Sequence, residues 1–275
     1  VNARCDLAEL RGPMIDALPR IERALAQHVR APGSVGILLS GPPGTGKTMI
    51  ARRLAGALPA MNEHARRWLA IEYEAMYGKR FVESEIERPF RAPHHTVSAA
   101  GLVGAPARSH NLNPPRTDAN TGTCPVKACD GKPHTFHAIP RSVVPHLGEI
   151  GLARHGLLFL DELPEFAKAA LADLGHAYQR MAPTGRPLLI ASVNECPCGF
   201  RGLVQPGCTC SAPAIERWNQ RVVACMRAIS GPREPLEWVT IEVAPVSLAE
   251  MKAGRPGPST AEVRARVAAL IGGAS

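Results

Sequence analysis

Gly41-Pro42-Pro43-Gly44-Thr45-Gly46-Lys47-Thr48 follows an apolar run, Val35 to Ser40, and opens a helical pattern, Met49 to Leu58. Strand, glycine-rich turn and helix in that order are the setting in which G-x-x-x-x-G-K-[ST] cradles phosphate. The glycines let the backbone curl until successive N–H groups point inward, and the following helix adds its positive N-terminal end. The pattern assigns Lys47 to the β/γ-phosphates of ATP and the Thr48 hydroxyl to Mg²⁺. Gly41, Pro42, Pro43, Gly44, Thr45, Gly46 and Met49 complete the expected wall around the nucleotide.

Such a cradle needs carboxylates from a neighbouring strand. Gly156-Leu157-Leu158-Phe159-Leu160-Asp161-Glu162 supplies them: an apolar run typical of a buried parallel strand, ending in two acids. The C-terminal edge of an open parallel sheet is where ligands bind. Asp161 is expected to hold Mg²⁺ through water, and Glu162 to polarise the attacking water as the catalytic base, with Lys47 as a charge stabiliser. A second apolar run, Pro187 to Val193, closes on Asn194, which either orients that water, touches the γ-phosphate, or merely caps a strand end.

Eight cysteines in a chain with no apparent export signal are poor grounds for disulfides. Six of them cluster, leaving Cys5 and Cys225 alone. Cys196, Cys198, Cys208 and Cys210 form two close thiol pairs across a short loop, as one four-thiolate zinc would require, with no coordination position left open for chemistry. Cys124, Cys129, His134 and His137 offer two thiols and two imidazoles inside a Pro-, Asn- and Gly-rich stretch, 105–147, that reads as an insertion. Zinc there would order a loop that is otherwise floppy; free cysteines in a loop are the alternative. His94 and His95, in a proline-interrupted segment at 88–96, fall on opposite faces of an extended chain and make no pair for one ion.

The totals bound the rest. Thirty-two Lys and Arg against 24 Asp and Glu leave a formal charge of +8 and a pI near 9.3. A pI above about 9 is one footprint of nucleic-acid binding, and equally of a merely soluble basic protein. Aromatic content of 4% argues against a base-stacking platform, so DNA contact would use Lys and Arg on phosphates. No apolar run approaches the roughly 18–20 residues that cross a bilayer. No signal-peptide core opens the sequence, so the cytoplasm is the expected address and no membrane partner is expected.

Helical steps of three and four run through residues 6–30, where Gly12-Pro13 interrupts them, and through 61–77, 165–181, 214–229 and 260–271. Glu237 to Val243 reads as the last strand. The expected class is α/β, with residues 1–245 as the core, carrying the 105–147 insertion and a cysteine cluster at 195–211. Residues 246–275 would be a linker and the start of a helical lid.

Gly41–Thr48, RPFRAPHHTVSAA at 88–100, GEIGLARHGLLFLDELPEF at 148–166, Asn194–Cys210 and ISGP at 229–232 together resemble the ComM-type, magnesium-chelatase-like branch of the AAA+ P-loop ATPases. The resemblance implies a five-stranded parallel sheet sandwiched by helices. It implies a homo-oligomeric ring, usually a hexamer, with ATP between subunits and a link to DNA branch migration. Lys47, Thr48, Asp161, Glu162 and Asn194 fall on the family's Walker A, Walker B and sensor-1 positions. Four departures stand out. The family's amino-terminal Lon-like domain has no counterpart. A hairpin expected to face the pore is missing between Phe166 and Pro187. Leu236 occupies the place of the arginine finger, with Arg233 the nearest substitute, and the chain stops before the family's sensor-2 arginine. Arginine fingers contribute about 10³ to 10⁵ in rate in other NTPases. A DNA motor and a nucleotide-held switch or scaffold that barely turns over ATP are therefore both compatible with the sequence; a chelatase-like remodelling subunit is a third reading, against which the cysteine block argues.

Overall fold

A computed structural model describes residues 6–104, 147–203, 207–231, 235–246, 250, 252 and 256–273. Its strands are the apolar runs of the sequence: β1 Val35–Ser40, β2 Phe90–Arg91, β3 Leu157–Leu160, β4 Leu188–Val193 and β5 Glu237–Glu242. All pair in parallel, in the order β2-β3-β4-β1-β5. At mid-sheet Ile37 of β1 lies between Ile190 of β4 and Val239 of β5, and Phe159 of β3 is level with Ile190. This is the five-stranded parallel α/β architecture of AAA+ P-loop proteins.

The helices are α1 Pro13–Asp16, α2 Leu18–Arg30, α3 Lys47–Ala57, α4 Glu63–Tyr77, α5 Ala99–Val103, α6 Gly148–Leu152, α7 Lys168–Arg180, α8 Ala212–Ser230 and α9 Thr260–Gly272, of which all but α4, packed on Ile86 in a cluster of its own, cover the sheet. Strand parity sorts them into two layers, because successive side chains point to opposite faces. Val35, Ile37, Leu39, Leu157, Phe159, Leu188 and Ile190 pack with Ile21 and Leu25 of α2, Ile50 and Leu54 of α3, and Val263 and Val267 of α9. Leu38, Leu158, Leu160, Leu189 and Ala191 face the other way, onto Leu171 and Leu174 of α7 and Val222 and Ile229 of α8. Burial on both faces is why β1, β3 and β4 lack polar alternation. Edge strand β5 is less buried, with Glu237, Thr240 and Glu242 exposed.

Two expectations change. The helical stretch over 6–30 is three pieces: a 3₁₀ turn at Leu7–Glu9, then α1, then α2. Pro13 and Pro19 each sit in the first turn of a helix, where a missing N–H breaks no intrahelical bond. The proline-interrupted segment at 88–96 contains a strand: Phe90 and Arg91 pair with Leu157 and Leu158. Two flanking prolines are tolerated because β2 is an edge. Arg91 anchors it, donating from Nε and Nη2 to the two carboxylate oxygens of Glu149 on α6 at 2.6 and 2.8 Å.

Helix α9 begins with a capping box, Ser259 and Glu262, and lies along α2 and α3. Arg264 ties it down by donating to the Gly56 carbonyl at 2.7 and 2.9 Å. Among the described residues no helix is long and apolar enough to cross a membrane.

Candidate nucleotide site

Strand β1 delivers its last residue, Ser40, to the C-terminal edge of the sheet, and the chain turns there into α3. Gly41 N–H donates to the Val193 carbonyl, which sews the turn to the end of β4. Gly46 adopts φ +85°, the left-handed region that suits glycine, and so lets the turn enter the helix at Lys47. Lys47 is buried, and its ammonium donates to the carbonyls of Gly41 and Pro42 at 2.6 and 2.8 Å and to Asn194 Oδ1 at 3.2 Å. Thr45 Oγ1 donates to the same Pro42 carbonyl at 2.9 Å. Burial lowers the Lys47 pKa, while Asp161, Glu162 and Glu195 pull it back up. The amine thus rests on the turn's own carbonyls, in reach of three carboxylates and without an ion pair to any of them among the described residues.

Strand β3 brings Asp161 to the same edge. Thr48 Oγ1 donates to Asp161 Oδ2 at 2.9 Å, and Ser192 Oγ donates to Asp161 Oδ1. The Glu162 N–H donates to Ser192 Oγ at 2.9 Å. A fully buried hydroxyl on β4 therefore clasps the end of β3 and fixes both acids. Glu162 has φ +54°, unusual for a side chain-bearing residue, and its carboxylate stands 56% exposed. Its Oε2 is 3.5 Å from His95 Nδ1, and the His95 ring packs on His94 at 4.1 Å between centroids. The Thr48 and Asp161 oxygens fit a hard cation. Both are hard oxygen donors of the kind Mg²⁺ takes, and the 2.9 Å contact between them is the hydrogen bond that would leave Asp161 to reach such an ion through water.

Asn194 follows β4 directly, its carbonyl taking the indole N–H of Trp218 on α8 at 2.7 Å. Two residues on, the chain enters the cysteine loop. Cys196, Cys198, Cys208 and Cys210 have all four sulfurs within 4.8 Å of one another. Three of the Sγ–Sγ distances are 3.3, 3.6 and 3.6 Å. A disulfide needs about 2.05 Å, whereas zinc–sulfur bonds of about 2.3 Å in a tetrahedron set sulfur edges of about 3.8 Å. The Phe200 N–H aimed at Cys198 Sγ lowers that thiol's pKa to about 6, while the other three thiols of the group are raised, Cys196 chiefly by burial.

Lys47, Thr48, Asp161, Glu162 and Asn194 thus converge on one edge, with Gly41 to Gly46 curled around them. Met49 belongs to the first turn of α3 and lies beside Met14, both next to Gly46. Leu236, at the position expected for an arginine finger, is 6% exposed and part of the core beneath α8. Cys124, Cys129, His134, His137 and Arg233 lie outside the described residues. Sequence reading missed Ser192, which looked like one more residue of an apolar run, and His95, set aside with the metal reading of the histidine pair. The one available signal for His95 was its place just past a sheet-edge segment.

The family model described as magnesium chelatase, subunit ChlI, matches residues 13–116 and 139–230. Competence protein ComM of Haemophilus influenzae is 31% identical over 264 residues, covering 90% of this chain and 42% of that protein. A YifB protein of Salmonella typhimurium is 29% identical over 256 residues, covering 88% of this chain and 41% of its own length. The chain therefore spans less than half the length of the curated relatives it matches. Among solved structures, a complex of the magnesium chelatase subunits BchI and BchD includes a chain that is 18% identical, with a TM-score of 0.43, covering 95% of this chain and 65% of that one.

Proposed function

The chain belongs to the magnesium chelatase, subunit ChlI, family, and from that premise we propose that it is an ATP-binding, Mg²⁺-dependent AAA+ ATPase core. The observation that carries the reading is the pair of contacts linking turn to strands, Thr48 to Asp161 at 2.9 Å and Lys47 to Asn194 at 3.2 Å. A bound Mg²⁺ supplies charge neutralisation on the β- and γ-phosphate oxygens. On this reading Lys47 exchanges the carbonyls of Gly41 and Pro42 for those phosphates. Thr48 and Asp161 face the metal, Glu162 accepts the proton of the attacking water, and Asn194 orients it. Gly41 to Met49 form the wall. Cys196, Cys198, Cys208 and Cys210 hold a structural Zn²⁺. The active assembly is a homo-oligomeric ring in the cytoplasm, a hexamer by family precedent, coupled to DNA remodelling through phosphate contacts. Residues 1–245 form its core and 246–275 a linker and the start of a lid.

The test is direct. Lys47→Ala is expected to abolish ATP binding, read with a fluorescent ATP analogue. Glu162→Gln is expected to keep binding and lower phosphate release by about 10² or more. Unchanged affinity in the lysine variant overturns the assignment.

A second reading has its own observation. Leu236 is buried in the core, so the position offers no charge to a neighbouring subunit's ATP. Without a finger the chain would act as a nucleotide-held switch or scaffold. Multiple-turnover phosphate release with added DNA separates the two: stimulated turnover favours the motor, stoichiometric ATP without turnover the switch.

A further inference from the structure

Residues 196–210 have no helix or strand among their described members, and the apolar burial within them is limited to Cys196. A segment of that length with so little core does not repay its ordering entropy by itself. The four convergent sulfurs are the feature that would, since metal binding free energy becomes folding free energy when ligands come from a loop. What matters is where the loop is fastened. It leaves β4 immediately after Asn194 and Glu195, then crosses the outer side of the phosphate-binding turn. Gly199, at φ +79°, sits so close that a Cβ there would lie 3.0 Å from Pro43 Cγ and 3.8 Å from Asn194 Nδ2. At Gly202 the same atom would lie 3.6 Å from Pro42 Cγ. Pro42 is buried, and its carbonyl is the one that accepts from both Thr45 and Lys47.

We propose that a zinc-class divalent ion in the Cys196–Cys198–Cys208–Cys210 site braces the phosphate-binding turn, so that metal occupancy sets ATP affinity. The ion pins the loop, and the loop lies against buried Pro42 and one edge of exposed Pro43 while Trp218 holds the Asn194 carbonyl. Without the ion that support is lost, and the turn samples arrangements in which its amides and Lys47 no longer converge. Apparent affinity then drops in proportion to the fraction of chains with the turn in place. The coordination sphere is filled by protein sulfur, so the role is positioning and not chemistry. The inference rests on the zinc reading above and adds the coupling to it.

The experiment uses the full chain. Metal content is measured by atomic absorption, affinity with a fluorescent ATP analogue in excess Mg²⁺, and fold by circular dichroism. Zinc is removed with 1,10-phenanthroline, which leaves Mg²⁺ bound to nucleotide, and is then added back. The expected result is stoichiometric zinc, a loss of analogue affinity of roughly tenfold or more on removal, and recovery on re-addition. Amide exchange across 41–46 should rise in the stripped chain and fall again with zinc. Cys198→Ser with Cys210→Ser should reproduce the stripped state and resist rescue by zinc. A chain that binds zinc stoichiometrically yet keeps its affinity after stripping overturns the brace and leaves the zinc reading intact. A chain that takes up no zinc overturns both. Loss of the circular dichroism spectrum on stripping also overturns the brace, because the metal would then be a requirement of the whole fold.

Discussion

Glu162 shows how much a single side chain depends on its neighbours. A general base must be held within hydrogen-bond reach of its water, yet this carboxylate is more than half exposed on a left-handed residue. Its backbone is fixed by Ser192 from below. His95 Nδ1 lies 3.5 Å from its Oε2. On the proposed reading of Glu162 as the base, His95, which lies beside it and is not paired to Lys47 or Thr48, is a positioning residue. We expect His95→Ala to lower kcat for ATP on the order of tenfold, since misplacing a group by about 1 Å costs up to 10², with KM nearly unchanged. His95→Asn, which keeps a donor, should recover part of the loss. A fall in affinity with kcat intact would show instead that the histidine pair belongs to the nucleotide pocket.

Among the elements, α2 carries an instructive conflict. Its apolar face runs through Leu18, Ile21, Leu25 and Ala26 into the core, and His28 is 7% exposed beside them with Nδ1 unpartnered. Burial, helped by the nearby Arg88 charge, pushes the His28 pKa from 6.5 to about 4. Between those values the unfolded chain binds a proton that the folded chain does not, so this contribution is complete above 6.5 and is lost as pH falls toward 4. The whole effect is roughly 3 kcal/mol at 1.36 kcal/mol per unit. Denaturant midpoints at pH 5 and 7.5 should differ less in His28→Leu than in the parent chain. Equal slopes would remove His28 as the source. Periodicity identified the helical stretch that contains α2, because one buried face leaves a repeat, and the doubly buried strands stood out instead as unbroken apolar runs. It did not identify β2, since two residues between prolines leave no repeat and acquire strand character only by pairing with Leu157 and Leu158.

At the scale of the molecule the surplus of +8 is spread over exposed arginines, among them Arg217, Arg221 and Arg227 along α8. If phosphate contacts drive a DNA response, turnover stimulated by duplex or forked DNA should fall steeply with salt, with a log–log slope of about −0.9 per phosphate neutralised. Turnover without DNA should change far less. Stimulation that survives high salt undiminished would point away from phosphate contacts as its origin.

The phosphate turn, the two acids after β3, the parallel sheet and the grouping of four thiols were all legible in the linear chain. Each depends on residue type at short spacing, and local spacing is what a sequence displays. The Ser192 clasp on Asp161, the His95 contact with Glu162, the burial of Leu236 and the seating of the cysteine loop on Pro42 and Pro43 were decided by tertiary structure alone. These join residues far apart in the chain. Which of them meet depends on strand order and register, and those emerge only when both faces of the sheet are packed at once.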